Sequence, residues 1–272
     1  MKQIRKLYPQ GKKKAFTMSY DDGVEFDVPL IEIMNQYQIK GTFNLNSGLW
    51  DGTNCWENSG VMIHRLAKEK LKSLYTGHEV AVHTVHHPHL EELCQEEIRK
   101  EILDDQENLQ SLFQMPVQGM AYPFGTYNET VLSVLEQSSI LYSRAVGTTE
   151  QFGLPENFLL WEGTAHHNNP RLKELTESFL QTDQELALYY VWGHSYEFET
   201  NHNWNVARDL CARVAGRDEI WYATNLEICK YILAMRQVQI EHGCAVNLGM
   251  EKIWLSIEGE TKTLDAGETL HF

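Results

Sequence analysis

Two short stretches carry side chains that could do chemistry together. The first is Ser19-Tyr20-Asp21-Asp22-Gly23, where an acidic pair closes a short apolar run. Adjacent carboxylates repel unless a cation or a proton is shared between them, so the pair points to a partner elsewhere in the chain. The second is His83-Thr84-Val85-His86-His87. Its imidazoles at 83 and 87 are four residues apart, a spacing that brings two rings to one side of a helical turn, and His86 falls off that face. One aspartate and two histidines form a facial set of metal ligands that leaves positions open for water and substrate. A Ser-x-Asp-Asp-Gly string alone has the composition of a solvated turn. Two such motifs, each directly after a strand-like run, are more specific, because open sheets and barrels place their sites at the carboxyl ends of strands.

The elements that must position these residues follow from the apolar pattern. Residues 15–19 read as a buried strand that delivers Asp21 and Asp22 to its carboxyl end. Asp27 is placed to cap the next helix, with Pro29 in its first turn and Leu30, Ile31, Ile33 and Met34 on its apolar face. Residues 40–44 read as a second strand, and 45–60 as a polar loop whose Trp50 and Trp56 could stack on a sugar. Residues 61–74 read as a helix and 79–82 as the strand leading into the histidines. A long acidic helix is expected over 90–113, a strand over 117–122, a helix around 131–135 and a strand over 140–145. The alternation continues with a strand at 158–161, a helix over 172–180, strands at 186–192 and 220–222, and helices over 204–214 and 226–240. Such alternation predicts parallel strands closed, or nearly closed, into a barrel spanning residues 1–242. The tail, 243–272, reads as short strands with glycine turns, a small antiparallel annex packed on the barrel.

Composition narrows the function classes. With 38 acidic against 23 basic residues the formal net charge is −15, which disfavours nucleic acid or an anionic membrane as a partner. No stretch approaches the ~18 apolar residues of a membrane helix. The first residues show no apolar core of a leader, and the five cysteines are widely spaced without a C-x-x-C pair. A reduced, cytoplasmic protein is the expectation.

In order along the chain, Asp21-Asp22-Gly23, His83-Thr84-x-x-His87, Tyr122-Pro123-Phe124-Gly125 and Trp192-Gly193-His194 resemble the motif set of the polysaccharide deacetylases, the NodB-homology or carbohydrate esterase 4 family. The likeness spans about residues 14 to 235. It implies a distorted (β/α) barrel, in agreement with the alternation. Carried over by position, it implies Asp21 as general base, Asp22, His83 and His87 as ligands of a divalent metal, and His194 as the acid that protonates the leaving amine. Zinc is the first expectation for the metal, with cobalt, nickel or manganese as alternatives. The Phe124 N–H would help stabilise the oxyanion, with Tyr122 in the same motif. The chain departs from the family at Ala121, where many members carry an arginine that pairs with the catalytic aspartate. Arg144, at the end of the following strand-like run, is the candidate replacement. The family's Asp/Trp segment is weakly represented by Trp161-Glu162. His166 and His167 fall in a loop where either could line the substrate groove or do nothing.

The expected activity is metal-dependent removal of acetyl groups, chiefly N-acetyl, from an amino sugar or oligosaccharide. Two other readings stand beside it. One is hydrolysis of another C–N bond, such as that of a cyclic ureide; the other is a carbohydrate-binding protein that lost catalysis with Ala121.

Overall fold

The computed structural model describes residues 3–241 and 243–272. At its centre is one nine-stranded sheet. Eight strands follow the order Ala165–His166, Ala187–Gly193, Lys14–Asp21, Thr42–Leu45, Glu79–Val82, Gly119–Ala121, Tyr142–Thr148 and Trp161–Gly163. The ninth, Ile220–Tyr222, pairs off this path with the start of Lys14–Asp21. All of its pairings are parallel. The two ends of the path are a single residue apart. Trp161–Gly163 runs through Thr164 straight into Ala165–His166, and the Thr164 N–H donates to Tyr190 O at 2.8 Å. The sheet therefore closes on itself as a distorted (β/α) barrel.

The period of two along each strand divides the core into two faces. On Lys14–Asp21, Phe16, Met18 and Tyr20 join a core that includes Leu30 and Ile31 of helix Asp27–Gln36 and Ile98 and Ile102 of helix Gln95–Phe113. Ala15 belongs to a second core with Tyr142, Leu188 and Tyr190. The barrel interior also holds a polar plug at its amino end. The first N–H groups of helix Asn225–Arg236 donate to Thr42 Oγ1 at 3.0 Å and to Glu79 Oε2 at 2.9 Å. A carboxylate at that terminus complements the helix dipole. With the amino end filled, the carboxyl end is where a ligand can enter.

Several local expectations are corrected. Residues 61–74 are not one helix: Cys55–Asn58 and Val61–His64 form a hairpin, and the helix is Lys68–Leu74. The loop Ser59-Gly60 has φ of 52° and 81°, the left-handed pair of a type I′ turn, which suits the strand twist. The 90–113 segment breaks before Gln95, where Glu97 accepts the Cys94 N–H at 3.0 Å and starts a new helix. The last expected helix stops at Arg236 and continues as strand Val238–Glu241. Asp27 is not a cap; it lies buried inside the first turn and accepts hydrogen bonds from Ser195 Oγ (2.5 Å) and Tyr75 Oη (2.6 Å).

The tail forms antiparallel sheets, each with a strand from elsewhere. Ile253–Ile257 pairs with both Glu260–Leu264 and the N-terminal Ile4–Leu7, while Cys244–Asn247 pairs with Val238–Glu241 and Thr269–His271. The expected boundary at His242 lies outside the described residues. Among the described residues no helix is long and apolar enough to cross a membrane.

Candidate active site

Asp21 is the last residue of its strand and points into the barrel, whereas Asp22 follows with φ of 83°. That left-handed step separates two adjacent carboxylates that would otherwise repel. Asp21 Oδ2 accepts from Arg144 Nη2, and Oδ1 accepts from Asn44 Nδ2 at 2.7 Å. Both members of the Arg144–Asp21 pair are buried. Arg144 is the register partner of Ala121 on the neighbouring strand, and its guanidinium lies 4.4 Å from the centre of the Trp192 ring. Burial works to protonate Asp21, but the charge of Arg144, followed by His83 and His194, holds its carboxyl well below the usual range. Asp22 takes a different partner: Arg65 Nη2 meets its Oδ1 at 3.0 Å. Burial again opposes the charge, and Arg65 first among its neighbours holds the Asp22 carboxyl low.

The histidine stretch is not helical. Thr84 and His87 have φ of 68° and 57°, so the segment is a tight bend, and the four-residue spacing acts through that bend rather than through a helical turn. A β-branched residue at positive φ is strained, and such strain persists only where its surroundings over-determine it. Here the surroundings are explicit. Asn46 Nδ2 donates to the carbonyls of His83 (2.5 Å) and Thr84 (3.0 Å), and Thr84 Oγ1 accepts the His87 N–H at 3.0 Å. Buried Asp105 accepts the His83 N–H at 3.0 Å. The rings of His83 and His87 then stand edge to face, 4.7 Å between centroids.

These residues fit a divalent cation. Ligand atoms of Asp22, His83 and His87 all lie within 4.8 Å of one another. His83 Nδ1 hydrogen-bonds to Ala121 O at 2.8 Å, which fixes the tautomer and leaves Nε2 with its lone pair. Nε2 of His83 stands 3.9 Å from Asp21 Oδ2, and Nε2 of His87 stands 4.0 Å from Asp22 Oδ1, both too far for hydrogen bonds. Burial pushes His83 down to about 4 and lowers His87 as well. Both rings are thus held neutral, the form that ligates.

Across the cleft, His194 is a quarter exposed and its Nε2 lies 3.8 Å from Asp21 Oδ2. Its Nδ1 is 3.3 Å from Glu197 Oε2, and the same oxygen accepts the His194 N–H at 3.1 Å. Burial works to lower His194, but the Glu197 hydrogen bond and the charges of Asp21, Asp22 and Glu197 push it up to about 9. The ring is therefore protonated at neutral pH.

A cleft of about 410 Å³ joins these groups: Asp21, Asp22, His83, His87 and His194 line it with Tyr122, Phe124, Trp56 and Tyr196. Phe124, at φ 55° in the turn Pro123–Gly125, is half exposed and stacks on His89 at 3.8 Å. Gly125 is required there, because it has φ of 71° and a Cβ would run into the Val146 side chain. Tyr122 is oriented by donating to Leu159 O at 2.8 Å. Trp161 is not brought to the cleft: it is buried against Tyr142, Phe158 and Tyr190 in the second core. Trp50 is covered by Lys68, whereas Trp56 meets Tyr196 edge to face at 5.6 Å. Among the residues that sequence reasoning misses are Glu197 and Arg65. Glu197 has a usable signal in its i+3 spacing from His194. Arg65 has none, since it reaches Asp22 from a hairpin 43 residues away.

Residues 9–142 match the sequence model of the family described as polysaccharide deacetylase. A peptidoglycan-N-acetylglucosamine deacetylase of Bacillus cereus is 26% identical over 145 residues, covering 52% of this chain and 48% of that protein. The match thus spans about half the length of this curated relative. A Mycobacterium smegmatis protein assigned as a polysaccharide deacetylase superposes with a TM-score of 0.60 at 16% identity, over 85% of this chain and 94% of that one. A mutant of a CE4 family pseudoenzyme with restored enzymatic activity gives a TM-score of 0.51 at 17% identity, over 83% of this chain and 70% of that one. At these identities the two structures share the fold with this chain.

Proposed function

The chain belongs to the polysaccharide deacetylase family, and from that premise we propose that it is a metal-dependent hydrolase removing acetyl groups, chiefly N-acetyl, from an amino sugar or oligosaccharide. The observation that carries this reading is the division between adjacent carboxylates. Asp21 is held by Arg144 and Asn44, while Asp22 faces the lone pairs of His83 and His87. Asp22, His83 and His87 would hold the cation, zinc first, with cobalt, nickel or manganese compatible with the same donors. When bound, such a cation supplies Lewis acidity toward the acetyl carbonyl and makes water nucleophilic near neutral pH.

The remaining chemistry belongs to the chain. Asp21, kept ionised by Arg144, takes a proton from the attacking water as its oxygen bonds to the acetyl carbon. The Phe124 N–H donates to the carbonyl oxygen as that atom gains charge. His194, oriented by Glu197 and protonated at neutral pH, delivers its proton to the amide nitrogen as the C–N bond breaks. Acetate and a free amine result. Arg144 then serves from the neighbouring strand as the replacement for the arginine absent at Ala121. Trp56 and Tyr196 supply an aromatic wall of the kind that stacks on sugar rings, and the name of the Bacillus cereus relative supports an N-acetylated sugar as substrate.

The test is acetate release from a panel of N-acetylated and O-acetylated sugars, with ring opening of a cyclic ureide followed beside it, using chelator-stripped protein with and without added zinc or cobalt. Metal-restored release from N-acetyl sugars is the expected result. Turnover of the ureide alone, or release indifferent to metal, would overturn the reading.

A further inference from the structure

Opposite the Asp22, His83 and His87 wall lies a second concentration of imidazoles that the proposed reaction uses only in part. Glu197 Oε2 is approached by three rings: His166 Nε2 at 3.1 Å, His167 Nε2 at 3.3 Å and His194 Nδ1 at 3.3 Å. A tetrahedral zinc site with bonds of about 2.05 Å has ligand-to-ligand edges of ~3.3 Å, and each of these contacts to Glu197 Oε2 is close to the length of one such edge. His166, His194 and Glu197 present ligand atoms all within 4.8 Å of one another. His167 adds an independent observation. It is 1% exposed, clamped between Tyr20 and Phe198, and neither ring nitrogen has a hydrogen-bond partner. A buried, unpartnered donor aimed at a carboxylate is rare unless a further ligand completes it.

We propose that His166, His194 and Glu197 form a second, weaker site for a divalent transition metal, with buried His167 behind Glu197, and that filling it inhibits the enzyme. Side chains of His166, His194 and Glu197 are each between a fifth and a quarter exposed, so the cluster is open to a cation from solvent. The site is weaker than the first for a stated reason. His166 Nδ1 now accepts the Asn168 N–H at 3.1 Å, and metal on Nε2 would require Nδ1 to carry the proton and that bond to be given up. The inhibitory effect rests on the proposed function: a cation on His194 Nδ1 displaces the Glu197 contact and removes the imidazolium that protonates the leaving amine.

The full chain, stripped of metal, is dialysed against increasing cobalt. Cobalt bound per chain is counted and its visible absorption recorded. Two equivalents are expected, the second with an affinity at least ~10-fold lower and with the intense visible bands of a four-coordinate ion. His166→Gln and His166→Ala should bind only the tight equivalent and lose inhibition by excess cobalt, while His83→Ala should lose the tight equivalent and keep the weak one. Saturation of the unmodified chain at one equivalent, or two equivalents in both His166 variants, would overturn the second site. Retention of the tight equivalent in His83→Ala would instead count against the proposed metal ligands, so the two failures are distinguishable.

Discussion

The two walls of the cleft are built from nearly the same donors, imidazoles beside a carboxylate, yet they are organised in opposite ways. On one wall, His83 and His87 are fixed through other atoms. Ala121 O holds a ring nitrogen, and Asn46, Asp105 and Thr84 hold the backbone, so that both Nε2 atoms stand about 4 Å from carboxylates. On the other wall, three rings close directly on Glu197 Oε2. Burial opposes the Glu197 charge, but hydrogen bonds from His166 and His194 hold its carboxyl well below the ordinary range. The first arrangement keeps both Nε2 atoms clear of close partners, whereas the second ties His166 and His194 to Glu197 by hydrogen bonds that a cation must replace. Under the proposed function, the same residue types then serve a tightly held ion on one wall and, on the other, a proton donor that a more weakly held ion would block, and the support behind each ring sets the difference.

The sharpest way to break this comparison is to remove the proposed base between the walls. Asp21→Asn keeps the shape and the Asn44 contact but cannot take a proton, and kcat for acetate release should fall by about 10²- to 10⁴-fold. A smaller loss would move the base elsewhere. Next in size is Arg144→Ala, which leaves a buried carboxylate unpaired; a loss of roughly 3–5 kcal/mol is expected in urea unfolding, together with reduced turnover. Unchanged stability would mean that Asp21 finds another partner.

The second wall is probed by Glu197→Gln, which should lower kcat by roughly 10-fold. Because the Glu197 charge raises His194, the alkaline limb of the rate profile should also move to lower pH. A fall in kcat with an unmoved limb would make Glu197 structural rather than a positioning residue.

A separate effect, on stability rather than turnover, concerns Asp27, beneath both walls. Burial pushes its carboxyl up to about 7 from an ordinary 3.8, so the folded chain binds that proton more tightly than the unfolded one. Its contribution to stability is complete below about pH 4 and is lost as pH rises through 7, each pH step of one between those limits removing about 1.4 kcal/mol. Urea midpoints of the unmodified chain should therefore fall more steeply over that interval than those of Asp27→Asn. Parallel profiles would show that Asp27 stays ionised in the fold.

The sequence makes the barrel legible because strand and helix periods alternate along most of it, and it makes Asp21, Asp22, His83 and His194 legible because each ends or closely follows a strand. Its failures have physical causes. The His83 to His87 spacing suggests a helical turn, but Thr84 and His87 are forced into left-handed backbone by contacts from Asn46 and Asp105 that are distant in sequence. Trp161 shares a motif-like setting with Glu162, yet its side chain falls on the filled interior of the barrel. Val61–His64 reads as helix because its apolar residues merge with those of Lys68–Leu74, while the Ser59-Gly60 turn that pairs it with Cys55–Asn58 is written in the backbone and not in apolar periodicity.

The most direct test is to count tightly bound zinc per chain in Asp21→Asn and His83→Ala, purified and reconstituted side by side. The expected result is full occupancy in Asp21→Asn despite lost turnover, and loss of the tight ion in His83→Ala. Zinc lost from Asp21→Asn, or retained in His83→Ala, would contradict the division of labour between the two adjacent aspartates.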